Sequence, residues 1–315
     1  YNCEWINNYI LKLVHNTTSS TSLPSPRFTY LASYIYFMQY LQVNCDFPVI
    51  KLFKDQHVER FNVDLVVDIG NSRTSAVLFE EGAFDKVRPL ELQDLSNPLA
   101  RYSDPFDMRL AFHKAYFGDF GFVNSKQFAY PSFIRLGKEA NTLIYKTINE
   151  NYGSEKITTC SSPKRYLWDH KAHKVEWEFV QTEGMDKRPI WIDGISQQFN
   201  KDGSLNKDGS GGVSNSYSLC SLMTLAFLEI LCQARMQINS FKYRDEIGNA
   251  NKPRKINRII ITCPTAMSKI EQTALRKSAE EAAIVLERYI SNSYNDNFDY
   301  QVVADKIMVI PSVKN

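Results

Sequence analysis

The sequence has no excess of one charge and no long apolar run, and each absence argues against a class of partner. Its formal net charge is +2, which is too small to favour a nucleic-acid or anionic-membrane partner. Its most apolar early segment, residues 28–41, is interrupted by Ser33 and Gln39, whereas a membrane-spanning helix needs roughly 20 predominantly apolar residues. We therefore expect no nucleic-acid partner and no transmembrane segment.

Motifs of several enzyme and metal-site classes are also missing from the sequence. The six cysteines show no Cys-x-x-Cys spacing and no compact disulfide framework, which is typical of reduced thiols in a cytosolic protein. Neither a Walker A run nor a Gly-x-Ser-x-Gly elbow is present. No signal peptide is visible, although the sequence starts at Tyr1 rather than Met, and we expect a cytoplasmic location.

Two histidines are close enough in sequence to raise the question of a metal site. His170 and His173 follow Asp169, and residues spaced i, i+3 on a helix share one face. No third ligand is spaced to complete a metal site, so we favour the interpretation that both histidines lie at the surface.

The residues that are present supply a large core and a clear order of elements at the start of the chain. The apolar fraction is 43% and the charged fraction 23%, as in soluble globular proteins. Apolar periodicity predicts helices at 5–14 and 28–41. Runs rich in β-branched residues predict strands at 63–69 and 74–80, paired as an antiparallel hairpin because the turn between them is short. A third apolar run, 110–117, is expected to extend the sheet.

Helices and strands alternate in the later part of the chain. Residues 200–215 are predicted to form a mobile surface loop that buries no apolar side chain, and the basic run 252–255 to form a solvated loop. The unbroken apolar run 259–261 favours a strand buried on both faces. The remaining elements are predicted strands at 133–136, 175–180, 190–192, 256–263 and 302–310, and helices at 217–240 and 268–290. This order predicts a mixed α/β sheet with helices packed on it.

The turn between the first two predicted strands carries the most informative residues. Asp68 ends a strand, where a buried carboxylate is costly unless it is paired or lies at a cation. Gly70 allows a sharp turn and a close approach to a ligand, and Asn71, Ser72 and Thr74 add short donors to an anion-binding turn. Such a turn suits a phosphate tail with Mg²⁺. An ordinary hairpin with an acidic turn residue explains the same residues equally well.

This run, residues 66–74, resembles the first phosphate motif of the actin, 70-kDa heat-shock chaperone and sugar-kinase superfamily. Four further segments resemble chaperone segments in the same order: 130–133, 136–140, 161–167 and 259–266. The combination is most similar to the bacterial SrfB-type virulence-factor family, over residues 64–315.

The resemblance implies an α/β fold, an actin-like ATPase (ribonuclease H-like) half-core with a mixed β-sheet flanked by helices. Residues 61–315 would form the first half of the core, with an inserted subdomain at about 118–215. Residues 1–60 would form an N-terminal helical appendage, which the resemblance does not explain. No second Asp-x-Gly-Gly motif occurs before Asn315. We therefore expect a fragment or half-site that binds ATP weakly or undetectably.

The resemblance also assigns roles to individual residues. Asp68 would hold Mg²⁺ through water, and the turn would bind the β- and γ-phosphates of ATP through Gly70, Asn71, Ser72, Arg73 and Thr74. Lys164 would meet the γ-phosphate and orient the attacking water, because a cation there stabilises charge developing on the phosphoryl group. A solvated lysine at a helix end remains the alternative for Lys164.

The roles expected for Arg73, Thr262 and Pro264 are less specific. Arg73 departs from the chaperone pattern and would either contact phosphate or point to solvent. Thr262 and Pro264 are expected to shape a strand end rather than take part in chemistry.

Three functions remain open at this level. The first is an ATP-binding protein, with hydrolysis undecided, acting with a protein partner of unknown identity as a chaperone, filament or switch. The second is a small-molecule kinase similar to type III pantothenate kinases, although about 60 residues precede the phosphate motif here. The third is a non-catalytic interaction module that keeps the fold.

Overall fold

The structure is a computed structural model. It describes residues 34–40, 43, 59–82, 85–95, 97, 99–112, 132, 134–149, 159–171, 200, 204–206, 218–291 and 305–311. The chain divides into two compact units, residues 1–55 and 56–315, where the sequence predicted a boundary after residue 60. In the first unit, residues 34–40 are helical, within the helix predicted at 28–41. The helix predicted at 5–14, the strands predicted at 175–180 and 190–192, and most of the predicted insertion lie outside the described residues.

The second unit begins with the predicted hairpin. Strand β1 (Phe61–Ile69) pairs antiparallel with β2 (Arg73–Glu80), and Ile69 lies opposite Thr74. Alternate β1 side chains are fully buried, with Val63, Leu65 and Val67 each 0% exposed. This alternation is the period-2 pattern of a strand with one face on the core, so the hairpin prediction is confirmed.

The hairpin forms the centre of a six-stranded mixed sheet. Its other strands are β3 (Arg88–Pro89), β6 (Phe106–Asp107), β10 (Arg254–Cys263) and β11 (Ile307–Pro311). The order is β11-β10-β1-β2-β3, and β6 also pairs with β2. Strand β10 runs parallel to both β1 and β11, so the carboxyl ends of these three strands lie at one edge of the sheet.

The strand predicted to extend this sheet belongs to a different one. Within the described residues, β7 (Arg109–Phe112) pairs with β8 (Ile134–Leu136) and β9 (Thr159–Ser161) in a three-stranded sheet. The prediction that residues 110–117 extend the main sheet is therefore wrong for residues 110–112, and residues 113–117 lie outside the described part of the chain. The predicted strand at 133–136 is confirmed for β8. Strands β4 (Leu92–Gln93) and β5 (Arg101–Tyr102) form a separate antiparallel pair.

Two long helices pack on each other beside the main sheet. Helices α1 (Gly137–Asn149), α2 (Ser221–Asn239), α3 (Phe241–Ile247) and α4 (Lys269–Ser291) follow in chain order, with a 3₁₀ helix at Pro163–Tyr166 between α1 and α2. Helix α2 packs against α4, β8 and β10. Almost every side of α2 is buried, as expected for a helix in the middle of a core. The helices predicted at 217–240 and 268–290 are confirmed.

Strand β10 is not covered equally on its two faces. Ile259 and Ile261 are buried, but Ile260 between them is only half-buried. The prediction of a strand buried on both faces is therefore correct for one face only.

The basic run at 252–255 is not a solvated loop throughout. Arg254 opens β10 and is 3% exposed. Its Nε lies 3.0 Å from Glu80 Oε2, and its Nη1 donates to the carbonyls of Asn249 at 2.8 Å and Lys252 at 2.7 Å. The prediction is wrong at Arg254, because a buried carboxylate on the neighbouring hairpin and a ring of carbonyls hold the guanidinium inside.

The Gly- and Ser-rich stretch also contributes to the core. Leu205 is half-buried and packs against the main core, and the Arg288 Nη1 donates to the Asn206 carbonyl at 3.0 Å. The prediction that residues 200–215 bury no apolar surface is therefore wrong at Leu205. The rest of this stretch, apart from Asn200, Ser204 and Asn206, lies outside the described residues.

Candidate functional site

The turn between β1 and β2 is closed by a hydrogen bond that leaves room only for glycine. The Gly70 N–H donates to the Arg73 carbonyl at 3.0 Å. A Cβ added at Gly70 would lie 2.3 Å from that carbonyl oxygen, a separation that real Cβ atoms do not adopt. Any side chain at Gly70 would therefore force the turn to shift.

The side chains of the turn differ in their access to solvent. Asn71, Ser72 and Arg73 are exposed, whereas Thr74 is 1% exposed. The Thr74 hydroxyl is buried and has no hydrogen-bond partner among the described residues. The Arg73 Nε lies 3.6 Å from Asp107 Oδ1 in an exposed ion pair. Of the four side chains, Thr74 alone therefore faces the interior.

Two hydrogen bonds hold the turn, and a third joins one of its partners to the residue before the 3₁₀ helix. The Met108 N–H donates to the Ser72 carbonyl at 2.9 Å, and the Ser162 N–H donates to the Met108 carbonyl at 2.8 Å. The Lys164 Nζ donates to the Ile69 carbonyl at 2.8 Å. The turn is therefore held from both sides of its sharpest bend.

The carboxylate of Asp68 lies exposed at the end of β1 and is oriented by the neighbouring parallel strand. Asp68 pairs in register with Thr262 of β10, and the Thr262 Oγ1 donates to Asp68 Oδ1 at 2.7 Å. Sequence reasoning missed this contact, because the register of two parallel strands far apart in the chain is not readable from either strand alone.

Lys164 is buried next to several acidic groups. It is 8% exposed, so the alternative of a solvated lysine is wrong. The preceding Ser162 has φ 58°, an uncommon left-handed conformation for a residue with a side chain. Burial lowers the pKa of Lys164, while the Cys263 thiol and the charges of Asp68 and Glu271 act in the opposite direction. The ammonium therefore lies within electrostatic range of the Asp68 carboxylate.

The N-terminus of α4 follows the carboxyl end of β10 and brings a capping box to the same edge of the sheet. The Ser268 N–H donates to Glu271 Oε2 at 2.8 Å, and the Glu271 N–H donates to Ser268 Oγ at 3.3 Å. The Ser268 backbone and side-chain hydrogen bonds, with a contribution from the charge of Lys164, lower the pKa of Glu271. The Ser-x-x-Glu spacing before a predicted helix is the sequence signal that could have found this cap.

Metal binding by protein groups alone is not supported at this edge. The described part of the chain contains no group of three or more His, Cys, Asp and Glu side chains able to hold a metal ion. Mg²⁺ differs from most metals because it keeps several waters and needs only one or two carboxylates when phosphates complete its shell. Asp68 therefore fits Mg²⁺ bound together with a phosphate. Of the histidine pair, His173 lies outside the described residues.

Comparison with known proteins adds the family. A profile of the virulence factor SrfB family matches residues 2–314, nearly the whole chain. The chain belongs to the virulence factor SrfB family. The SrfB part of the resemblance is thereby confirmed. No curated protein matches this SrfB-family chain. Among its described helices, none is long and apolar enough to cross a membrane.

In this SrfB-family chain, polar groups lie together at the carboxyl ends of the central parallel strands. Some of them were predicted from the sequence and others were not. The charge of Asp68 acts on Lys164, whose ammonium donates to the carbonyl of Ile69 at the entry to the turn. The structure adds Glu271. It also gives Thr262, expected only to shape a strand end, a hydrogen bond to Asp68. The arrangement combines an exposed carboxylate, a buried cation and the backbone donors of a tight turn.

Proposed function

We propose that this SrfB-family chain forms the first half of an actin-like ATPase core and binds the phosphate tail of Mg-ATP at the Gly70–Thr74 turn. The observation that carries the proposal is the position of the buried Lys164 side chain. Its ammonium donates to the Ile69 carbonyl beneath the turn, and the charge of Asp68 acts on it. A buried cation under an exposed, glycine-dependent turn suits a polyanion that approaches from the solvent side.

The sheet supports the fold part of the proposal. An antiparallel hairpin carries the turn, and β10, α4 and β11 continue the sheet as a parallel unit beside it. The N-terminus of α4 follows the carboxyl end of β10 at the edge that holds Asp68, and the positive end of its helix dipole favours an anion there.

Different residues at this edge would bind the metal ion and the phosphates of Mg-ATP. Asp68, oriented by the Thr262 hydroxyl, would accept hydrogen bonds from the water shell of Mg²⁺. The turn would offer its backbone N–H groups and the exposed Asn71 and Ser72 side chains to phosphate oxygens. Arg73 would exchange its exposed pairing with Asp107 for a phosphate contact at little cost, because exposed ion pairs contribute about 0–1 kcal/mol.

Lys164 would act in two ways. Its hydrogen bond to the Ile69 carbonyl fixes the entry to the turn, and its charge offsets that of the phosphates. Bound Mg-ATP supplies the phosphoryl group and the metal charge for hydrolysis. Thr74 would contribute through its backbone, because its hydroxyl is buried.

The test is a titration of Mg-ATP into the chain up to millimolar concentration, followed by calorimetric heat and melting temperature. Because half of a nucleotide site binds weakly, we expect a small rise in melting temperature that appears at millimolar Mg-ATP, requires Mg²⁺ and is lost in Asp68→Ala. Asp245→Ala is the matched control, because Asp245 is exposed on α3. Release of inorganic phosphate, measured in the same samples, separates hydrolysis from binding. An equal response in Asp68→Ala and the unmodified chain, or no response in either, would overturn the proposal.

A further inference from the structure

A second group of reactive side chains lies where the segment after the 3₁₀ helix meets the N-terminus of α2. The Cys220 Sγ lies 3.3 Å from His170 Nδ1 and 3.0 Å from Ser218 Oγ. Cys220 is the N-cap residue of α2, and its N–H donates to the Asp169 carbonyl at 3.1 Å. None of these contacts involves the turn at 70–74, so this group is independent of the proposed ATP site.

The surroundings of Cys220 favour a thiolate more than an ordinary thiol. An imidazole nitrogen within hydrogen-bond distance can take the thiol proton, and a serine hydroxyl can donate to the resulting sulfur anion. The sulfur also lies at the N-terminus of a 19-residue helix with no acidic residue in its first turn, where the helix dipole stabilises negative charge. These three features together oppose the burial of Cys220, which by itself favours the neutral thiol.

Other cysteines of the described part lie in surroundings that disfavour the thiolate. Burial raises the pKa of the Cys160 thiol to about 11. Burial also raises the pKa of Cys263, although Lys164 acts in the opposite direction. Cys220 itself is 8% exposed, and His170 beside it is exposed to solvent. The imidazole side of the group is therefore the open one.

We propose that Cys220 and His170 form a thiol-exchange site that reacts with small disulfides. His170 takes the Cys220 proton, and the thiolate attacks one sulfur of the disulfide. The new bond joins that sulfur to Cys220, the original sulfur–sulfur bond breaks, and the departing thiolate takes the proton from His170. The products are one mixed disulfide and one small thiol, so the disulfide itself is the only oxidant.

The experiment exposes the folded chain to dithiodipyridine at pH 7 and follows each cysteine-containing peptide by mass spectrometry. We expect Cys220 to react at least about tenfold faster than Cys160 and Cys263, because a base lies within hydrogen-bond distance of the Cys220 sulfur. His170→Gln should slow the reaction of Cys220 about tenfold by the same reasoning. Lys171→Gln, which changes the exposed neighbour of His170, should leave the rate unchanged.

Either of two results would overturn the proposal. One is a Cys220 rate no faster than the rates of Cys160 and Cys263. The other is a His170→Gln rate equal to that of Lys171→Gln. If His170→Gln lowers the melting temperature, all cysteines react faster together, and the comparison of cysteines within the unmodified chain then decides.

Discussion

Removing the guanidinium of Arg254 is expected to destabilise the chain more than any exposed substitution in the same basic run. Its side chain is fully buried and pairs with Glu80, which is almost as buried. It also donates to the carbonyls of Gly248, Asn249 and Lys252. Arg254→Ala would therefore strand one carboxylate and three carbonyl oxygens at the start of β10.

The expected loss of stability comes from the Glu80 carboxylate left buried without a partner, rather than from the energy of the ion pair itself. Breaking a buried ion pair by removing one partner costs about 3–5 kcal/mol, because the other charge stays buried without compensation. Carbonyls near the chain surface regain water in part, so their loss adds little beyond this range. We expect Arg254→Ala to lower the free energy of unfolding by about 3–5 kcal/mol. Combining it with Glu80→Leu, which removes the stranded carboxylate, should cost less than the sum of the two single changes.

Urea denaturation followed by circular dichroism measures these free energies. Lys255→Ala is the matched control, because Lys255 follows Arg254 in the same run but is exposed, and it should change stability by no more than about 0.5 kcal/mol. A loss for Arg254→Ala below about 1 kcal/mol, the value of an exposed ion pair, would refute the reasoning. Strict additivity of the double change would refute the claim that the two residues stabilise each other.

Three further predictions concern the edge of the sheet. Gly70→Ala should destabilise the chain by about 1–3 kcal/mol, because its Cβ would overlap the Arg73 carbonyl. The control Ser72→Ala should be nearly neutral when both are measured by urea denaturation. Equal losses of stability in the two variants would contradict the steric argument. Thr74→Val should raise stability by about 1 kcal/mol, because it removes a buried hydroxyl without a partner in the described region; a loss in melting temperature would point to a partner for that hydroxyl. Glu271 has a lowered pKa in the folded chain, so its stabilising contribution is present above pH 4.5, its ordinary value, and is lost as the pH falls through the lowered value. Glu271→Gln should therefore flatten the fall of melting temperature in acid, and an unchanged acid profile would contradict this.

Local patterns were sufficient to predict the hairpin and the long helices. The alternating β-branched residues of β1, the glycine at the bend and the apolar periodicity of α2 and α4 are each contained within a short stretch of chain. The candidate residues Asp68 and Gly70 could be selected for the same reason, because the chemistry of the turn is local.

Long-range pairing could not be predicted from such patterns. The hydrogen bond from Thr262 to Asp68 depends on the register between β1 and β10, and the burial of Arg254 depends on Glu80 of the neighbouring hairpin. Strand β7 has the composition of a core strand, but which sheet it joins is decided by β8 and β9. In each case the deciding partner lies far along the chain.

Nuclear magnetic resonance of the Gly70 amide tests the central proposal most directly. The sequence contains only two Ile-Gly pairs, at Gly70 and Gly248, so labelling isoleucine carbonyls with carbon-13 and glycine nitrogens with nitrogen-15 selects two amide signals. Ile247→Val removes the Gly248 signal and thereby assigns both. If Mg-ATP binds at the turn, the Gly70 signal shifts with added Mg-ATP while the Gly248 signal stays in place. A stationary Gly70 signal at saturating Mg-ATP would contradict a phosphate site at this turn.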